Sequence, residues 1–99
     1  MTAALSKHNC IAHRLLTFAK EPNRTLDVFI GKPFLVDEHE WHCPYRIVGD
    51  DYDFSSAIIG VDSVQTLQLI WRVIDGIIEG DELELLWFDE PFMGFWQYN

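Results

Sequence analysis

Apolar residues recur in two different periods along this chain. Up to residue 60 they come in short, roughly alternating runs bounded by turn residues, and from residue 62 they recur every three or four positions. Residues 9–19 mix β-branched and aromatic side chains with polar ones, and Glu21-Pro22-Asn23-Arg24 follows with turn chemistry, so a strand and a turn are predicted. Residues 26–36 read as a second, long strand that Gly31 and Pro33 interrupt, at a bulge or an edge position. After the polar connection at residues 37–40, residues 41–48 alternate so that Trp41, Cys43, Tyr45 and Ile47 share the face that should meet the core. Arg46 falls on the opposite face beside His42, where it either faces solvent or pairs with a carboxylate. A turn cluster at residues 49–53 leads to a fourth strand at residues 54–60, and such short gaps favour antiparallel hairpins.

The period then changes. Asp62 fits a helix N-cap, with Gln65 at the third helical position reaching back as in a capping box, and the helix should run over residues 62–79. Val64, Leu67, Ile70, Trp71, Ile74, Ile77 and Ile78 form the stripe that should cover the sheet. Leu69 and Val73 lie outside it, on a flank continued by Gly76 and Gly80, where missing side chains would let another segment approach. Beyond Asp81-Glu82, residues 83–88 read as a short fifth strand or a helical extension, with the extended form favoured. The last thirteen residues hold six of the fourteen aromatics, broken by Pro91 and Gly94, and either wrap over the Leu69/Val73 flank or form a contact surface. The expected architecture is one α+β domain. It has an N-terminal arm (residues 1–8), an antiparallel four-stranded meander (9–60) with room for a fifth strand, one helix (62–79) and an extended aromatic tail (83–99).

Composition narrows this picture. With 99 residues, 48% apolar and 14% aromatic, the chain has room for one core and too many core-formers for disorder, despite a net charge of −9. The charge is lopsided: residues 1–49 carry six basic and five acidic side chains, whereas residues 50–99 carry Arg72 and eleven acidic ones. Such a field repels phosphate backbones, which argues against direct nucleic-acid binding and for a basic protein partner. The first twenty residues lack an uninterrupted apolar run, and residues 67–78, the most apolar later stretch, fall short of the ~20 residues that span a bilayer. A soluble chain with no membrane attachment is expected. Cys10 and Cys43 are read as reduced thiols, which places the protein in the cytoplasm.

Candidate chemistry is sparse. His39, Glu40, His42 and Cys43 offer metal-ligand atoms within five residues, yet their spacing is not that of a helical zinc motif, and His42 and Cys43 should point to opposite faces of a strand. Cys43 as a nucleophile would need a cationic neighbour, but alternation sets it beside Trp41 and Tyr45. Asp50, Asp51 and Asp53 lack the EF-hand offsets for calcium. No catalytic residue, cofactor or metal is therefore assigned. The sharpest hypothesis is that Asp50, Asp51 and Asp53, then Glu79, Asp81, Glu82 and Glu84, then Asp89 and Glu90 converge into an anionic patch that steers a basic partner, with Phe92, Phe95 and Trp96 as exposed anchors. Two alternatives stay open. One is a small-ligand or enzymatic pocket between sheet and helix bordered by His13, His42 and Arg46, and the other is a homodimer through Leu69, Val73 and the tail.

The run Trp41-x-Cys-Pro-Tyr-Arg-Ile47, followed by Gly60-Val-Asp-Ser-x-Gln-x-Leu67 and Leu85-x-Trp87, resembles an uncharacterised family of small bacterial domains built as a β-meander followed by a helix. The resemblance covers residues 9–90 and implies the fold, with no catalytic residue to carry over. By type, small acidic cytoplasmic domains of this kind look like immunity proteins, which neutralise a bacterial toxin by occupying or distorting its active site. A non-enzymatic inhibitor of a toxin or a nucleic-acid-handling enzyme is then the expected function, a phage-encoded anti-CRISPR or other nucleic-acid mimic being the close variant.

Overall fold

A computed structural model describes residues 4–95. Its elements are β1 (Ala12–Phe18), β2 (Thr25–Ile30), β3 (Phe34–Asp37), β4 (Glu40–Gly49), β5 (Asp53–Gly60), α1 (Ser63–Gly80), β6 (Leu85–Trp87) and β7 (Glu90–Pro91). The fold is α+β, one helix on an antiparallel sheet, but the sheet has seven strands where four with room for a fifth were expected. Two causes account for the difference. The long second strand is cut at Gly31-Lys32-Pro33 into β2 and β3, which line successive stretches of the same edge of β4. The tail also folds back on itself, so that β6 pairs with β1 and β7 pairs with β6.

The break at Gly31 has a local reason. A Cβ at that position would lie 2.6 Å from the Pro44 ring and 3.0 Å from Leu5, so only glycine fits there. Its N–H still donates to the Pro44 carbonyl at 2.8 Å, which holds the kink against β4.

The core lies between α1 and one face of the sheet. Leu16, Leu26, Val28, Ile30, Cys43, Tyr45, Ile47 and Ile58 meet Ile70, Ile74 and Ile78, with Thr66 buried beside them. Thr66 is satisfied within the helix, its hydroxyl donating to the Ser63 carbonyl at 2.7 Å. Asp62 caps α1 by accepting the Gln65 N–H at 2.7 Å, and the Gln65 side chain accepts from Val61 rather than from the cap itself, at 2.8 Å.

Relative to the core stripe, Trp71 and Val73 sit symmetrically on either side of α1. Phe95 stacks on Trp71 with centroids 5.5 Å apart, and the Arg14 guanidinium lies 3.8 Å above Trp87 and 5.2 Å from Phe95, so the tail closes the flank that faces β1. For the described part of the tail, residues 83–95, the expectation that it wraps over Leu69 and Val73 is thus corrected. Leu69 is exposed, and a Cβ at Gly76 or Gly80 would meet nothing within 4 Å among the described residues.

The opposite sheet face carries His13, Asp27, Phe29 and Arg46. His13 stacks on the buried Phe29 and shares a 2.6 Å hydrogen bond with Asp27. Arg46 grips Asp53 through two bonds of 3.0 and 2.9 Å and donates to the Leu5 carbonyl at 2.9 Å, which pins the N-terminal arm across this face. The His13, His42 and Arg46 side chains all point to the sheet face away from α1, so the three do not together border a pocket between sheet and helix, although His13 helps line a small cleft of about 110 Å3 with Val28, Ile30, Trp71 and Phe95. Among the described residues, no helix is long and apolar enough to cross a membrane.

Candidate partner-binding site

Three loops meet at the end of the sheet where β1 and β4 finish: residues 19–24, 50–52 and 81–84. Backbone and side chain both tie them together. The Ala19 N–H donates to the Glu84 carbonyl at 2.9 Å, and the Tyr52 hydroxyl donates to Asp81 at 2.5 Å. Burial, and then the bond to Asp81, push the Tyr52 phenol up to about 12. Arg24 stands between the first two loops, bonded to Glu21 at 3.1 Å and to Asp51, with Asp50 at 4.0 Å.

The third loop is built by the way α1 ends. Leu83 N–H donates to the Ile78 carbonyl and Glu82 N–H to that of Glu79, both at 3.0 Å, which is a Schellman closure with Leu83 turned back toward the helix. The left-handed position of that motif usually belongs to glycine, yet Glu82 holds it at φ 54°. The Glu82 side chain thereby leaves the backbone at the rim. Glu82 and Glu84 face Lys20, Glu21 and Arg24 across a cleft of about 200 Å3 floored by Phe18 and Leu83.

Seven carboxylates (Glu21, Asp50, Asp51, Glu79, Asp81, Glu82 and Glu84) and two cations (Lys20, Arg24) share this end. Of the three carboxylate groups expected to converge, the first two do. Within the first, Asp53 is diverted: it opens β5, turns to the Arg46 face, and the guanidinium there holds its carboxyl below the usual range. The stability from that pair is present above the ordinary carboxylate pKa and is lost as pH falls through the lowered value. The third group, Asp89 and Glu90, stays apart on the β6–β7 hairpin beyond β1.

The expected aromatic anchors divide as well. Phe92 and Phe95 are half-buried, pack against the core and touch edge to face at 5.0 Å, while Trp96 lies outside the described residues. Among the described residues of this segment the most exposed aromatic is Phe88, 84% accessible at the tip of the hairpin, with Trp87 beside it partly exposed. Phe88 and Asp89 both have positive φ, 51° and 65°, as a two-residue type I′ turn requires. Sequence reading missed this hairpin because Phe-Asp carries none of the Asn-Gly signal such turns usually show.

Other candidate chemistry finds structural roles. Cys43 is buried on the α1 side of β4, where burial pushes its thiol up and away from the thiolate a nucleophile needs. Cys10 and Cys43 are both free thiols. His42 bonds Glu40 at 2.8 Å on the other face of β4, and among the described residues no group of three or more His, Cys, Asp or Glu side chains is placed to hold a metal.

No curated protein and no solved structure matches the chain. A family model, described as a domain of unknown function, DUF6968, matches residues 12–95, a span from the start of β1 to the aromatic contact between Phe95 and Trp71. Since that match covers nearly all of the described fold, the chain belongs to this uncharacterised family.

Proposed function

We propose that the chain is a non-enzymatic protein-binding module that works by direct contact with a basic partner, in the manner of the immunity proteins that neutralise bacterial toxins in the cytoplasm. The observation that carries the reading is the convergence of residues 50–52 and 79–84 at one end, bridged by Tyr52 and Asp81. Carboxylates gathered this way raise the encounter rate with a cationic surface and set its orientation, and their effect falls as salt screens them. Preorganisation adds to this: the Schellman closure and the Tyr52 bond hold the loops before a partner arrives, so less ordering entropy is lost on binding.

The test is capture from lysate of the source organism with tagged protein, at low and at moderate salt, with the retained proteins identified by mass spectrometry. A stoichiometric basic protein that is lost as salt rises supports the reading and names the partner. If nucleic acid competes for that partner, the inhibitor acts as a phosphate mimic. Absence of any stoichiometric partner at either salt overturns the reading and directs the search to small ligands.

A further inference from the structure

The edges of the sheet are protected unequally. β3 has four residues, follows Lys32-Pro33 and shifts register between Leu35 and Asp37. β7 has two residues, Glu90 and Pro91. The outer edge of β1 is partnered by β6 and flanked further along by the Trp87 and Phe95 rings around Arg14. Prolines, charges, bulges and brevity are the usual means of stopping an edge from pairing with another chain. β5 has none of them beyond its first residue, Asp53. It runs for eight residues, keeps unbroken register with β4, holds no proline, and has no charge after Asp53, which Arg46 already engages. Its exposed side chains include Phe54 and Ile59, and Val61 follows at 59% exposure.

We propose that β5 pairs with β5 of a second copy, antiparallel about a two-fold axis through the middle of the strand, to make one continuous sheet. Three observations select a second copy as the occupant. The pairing is isologous and closed: it consumes the unguarded edge and leaves only guarded ones outward, so association stops at two. It also suits the charge. The acidic end lies where β5 begins, and antiparallel alignment sets the two acidic ends apart by roughly the strand length, ~27 Å for eight residues, beyond the ~8–10 Å over which salt lets exposed charges act. Finally, the flank of α1 that the described residues leave uncovered lies on this same side, because Gln65 and Thr66 adjoin Gly60 at the end of β5, whereas Trp71 faces the tail. Pairing turns this flank toward its counterpart across the axis, which gives the exposed Leu69, beside the half-buried Val73, a reason. The acidic ends remain uncovered, so the dimer and the partner-binding reading stand or fall separately.

Sedimentation equilibrium of the intact chain over a wide concentration range tests this, with Ser55→Lys/Ile59→Lys as the disrupting variant. Both positions are exposed on the Arg46 face of β5, and a lysine there sets like charge against the opposing edge. Far-UV circular dichroism and a melt at high dilution verify that the variant folds. The expected result is twice the chain mass for the native protein and a roughly tenfold or greater weakening of association in the folded variant. A single-chain mass at every concentration, or a dimer that the two lysines leave intact, overturns the proposal. So does a native monomer whose β5 amides become protected only when a different protein is added.

Discussion

The two flanks of α1 are nearly mirror images in sequence terms and opposites in the fold. Trp71 and Asp75 lie on one side of the Thr66/Ile70/Ile74/Ile78 stripe, Val73 and Leu69 on the other, and each side offers one apolar residue next to the core. Among the described residues only the first is closed. What separates them is a polar anchor: Asp75 accepts the Phe95 N–H at 2.7 Å, and Gly94 turns at φ 103° with its backbone against that same carboxylate. Apolar area alone does not choose a flank, because burial is non-directional; one well-placed hydrogen bond and one residue free to adopt positive φ do.

The sharpest way to break this contrast is to truncate one residue on each side. Phe95→Ala removes the ring between Trp71, Phe92 and Arg14 and is expected to cost about 3 kcal/mol, whereas Leu69→Ala costs less than about 1 kcal/mol at high dilution, where only the monomer's own contacts count. Chemical denaturation of the two variants side by side checks it. Gly94→Ala comes next: a Cβ there sits 3.2 Å from the Asp75 carboxylate in a conformation L-residues avoid, and a loss of about 1–2 kcal/mol is expected. Asp75→Asn keeps an acceptor but gives up the charge, so about 1 kcal/mol should go, with slow exchange lost first at the Phe95 amide. Smaller still, and opposite in sign, Glu82→Gly relieves the left-handed C-terminal position and should stabilise by about 0.5–1 kcal/mol while removing one carboxylate from the cleft.

Titration sharpens the picture without altering neutral stability. The Tyr52 phenol is raised from 10.0 to about 12, so the folded state keeps that proton when the unfolded chain has released it. Stability from Tyr52 is therefore complete below about pH 10 and declines as pH climbs through 12. Phenolate absorbance should show a late step that disappears in Tyr52→Phe, and a native profile with no such step would separate Tyr52 from Asp81.

Much of the frame was legible because it follows from period alone. The alternation through Trp41, Cys43, Tyr45 and Ile47 set the core face of β4, and the Asp62 cap with the i, i+4 isoleucines set α1 to within a residue at each end. The tail was not legible, since three of its decisive residues act against type. Glu82 occupies a glycine position, Phe88 and Asp89 make a turn without glycine or asparagine, and Asp75 accepts a backbone N–H from twenty residues away. The acidic site was legible in part. Charge density marked Asp50, Asp51 and Glu79 to Glu84, but only the antiparallel order of the strands brings those loops together and leaves Asp89 and Glu90 elsewhere. Nothing local distinguished Asp53 from its neighbours; its diversion depends on facing Arg46 across the β4–β5 ladder.

The central functional claim is that place, and not net charge, makes the acidic end a recognition surface. Two variants of identical charge decide it: Glu82→Lys/Glu84→Lys at the cleft, and Asp89→Lys/Glu90→Lys on the separate hairpin. Each is compared with the native chain for capture of the same salt-sensitive partner. The account predicts capture lost by at least tenfold in the first and retained in the second. Equal losses in both variants would contradict it, reducing the acidic end to one part of a diffuse negative field.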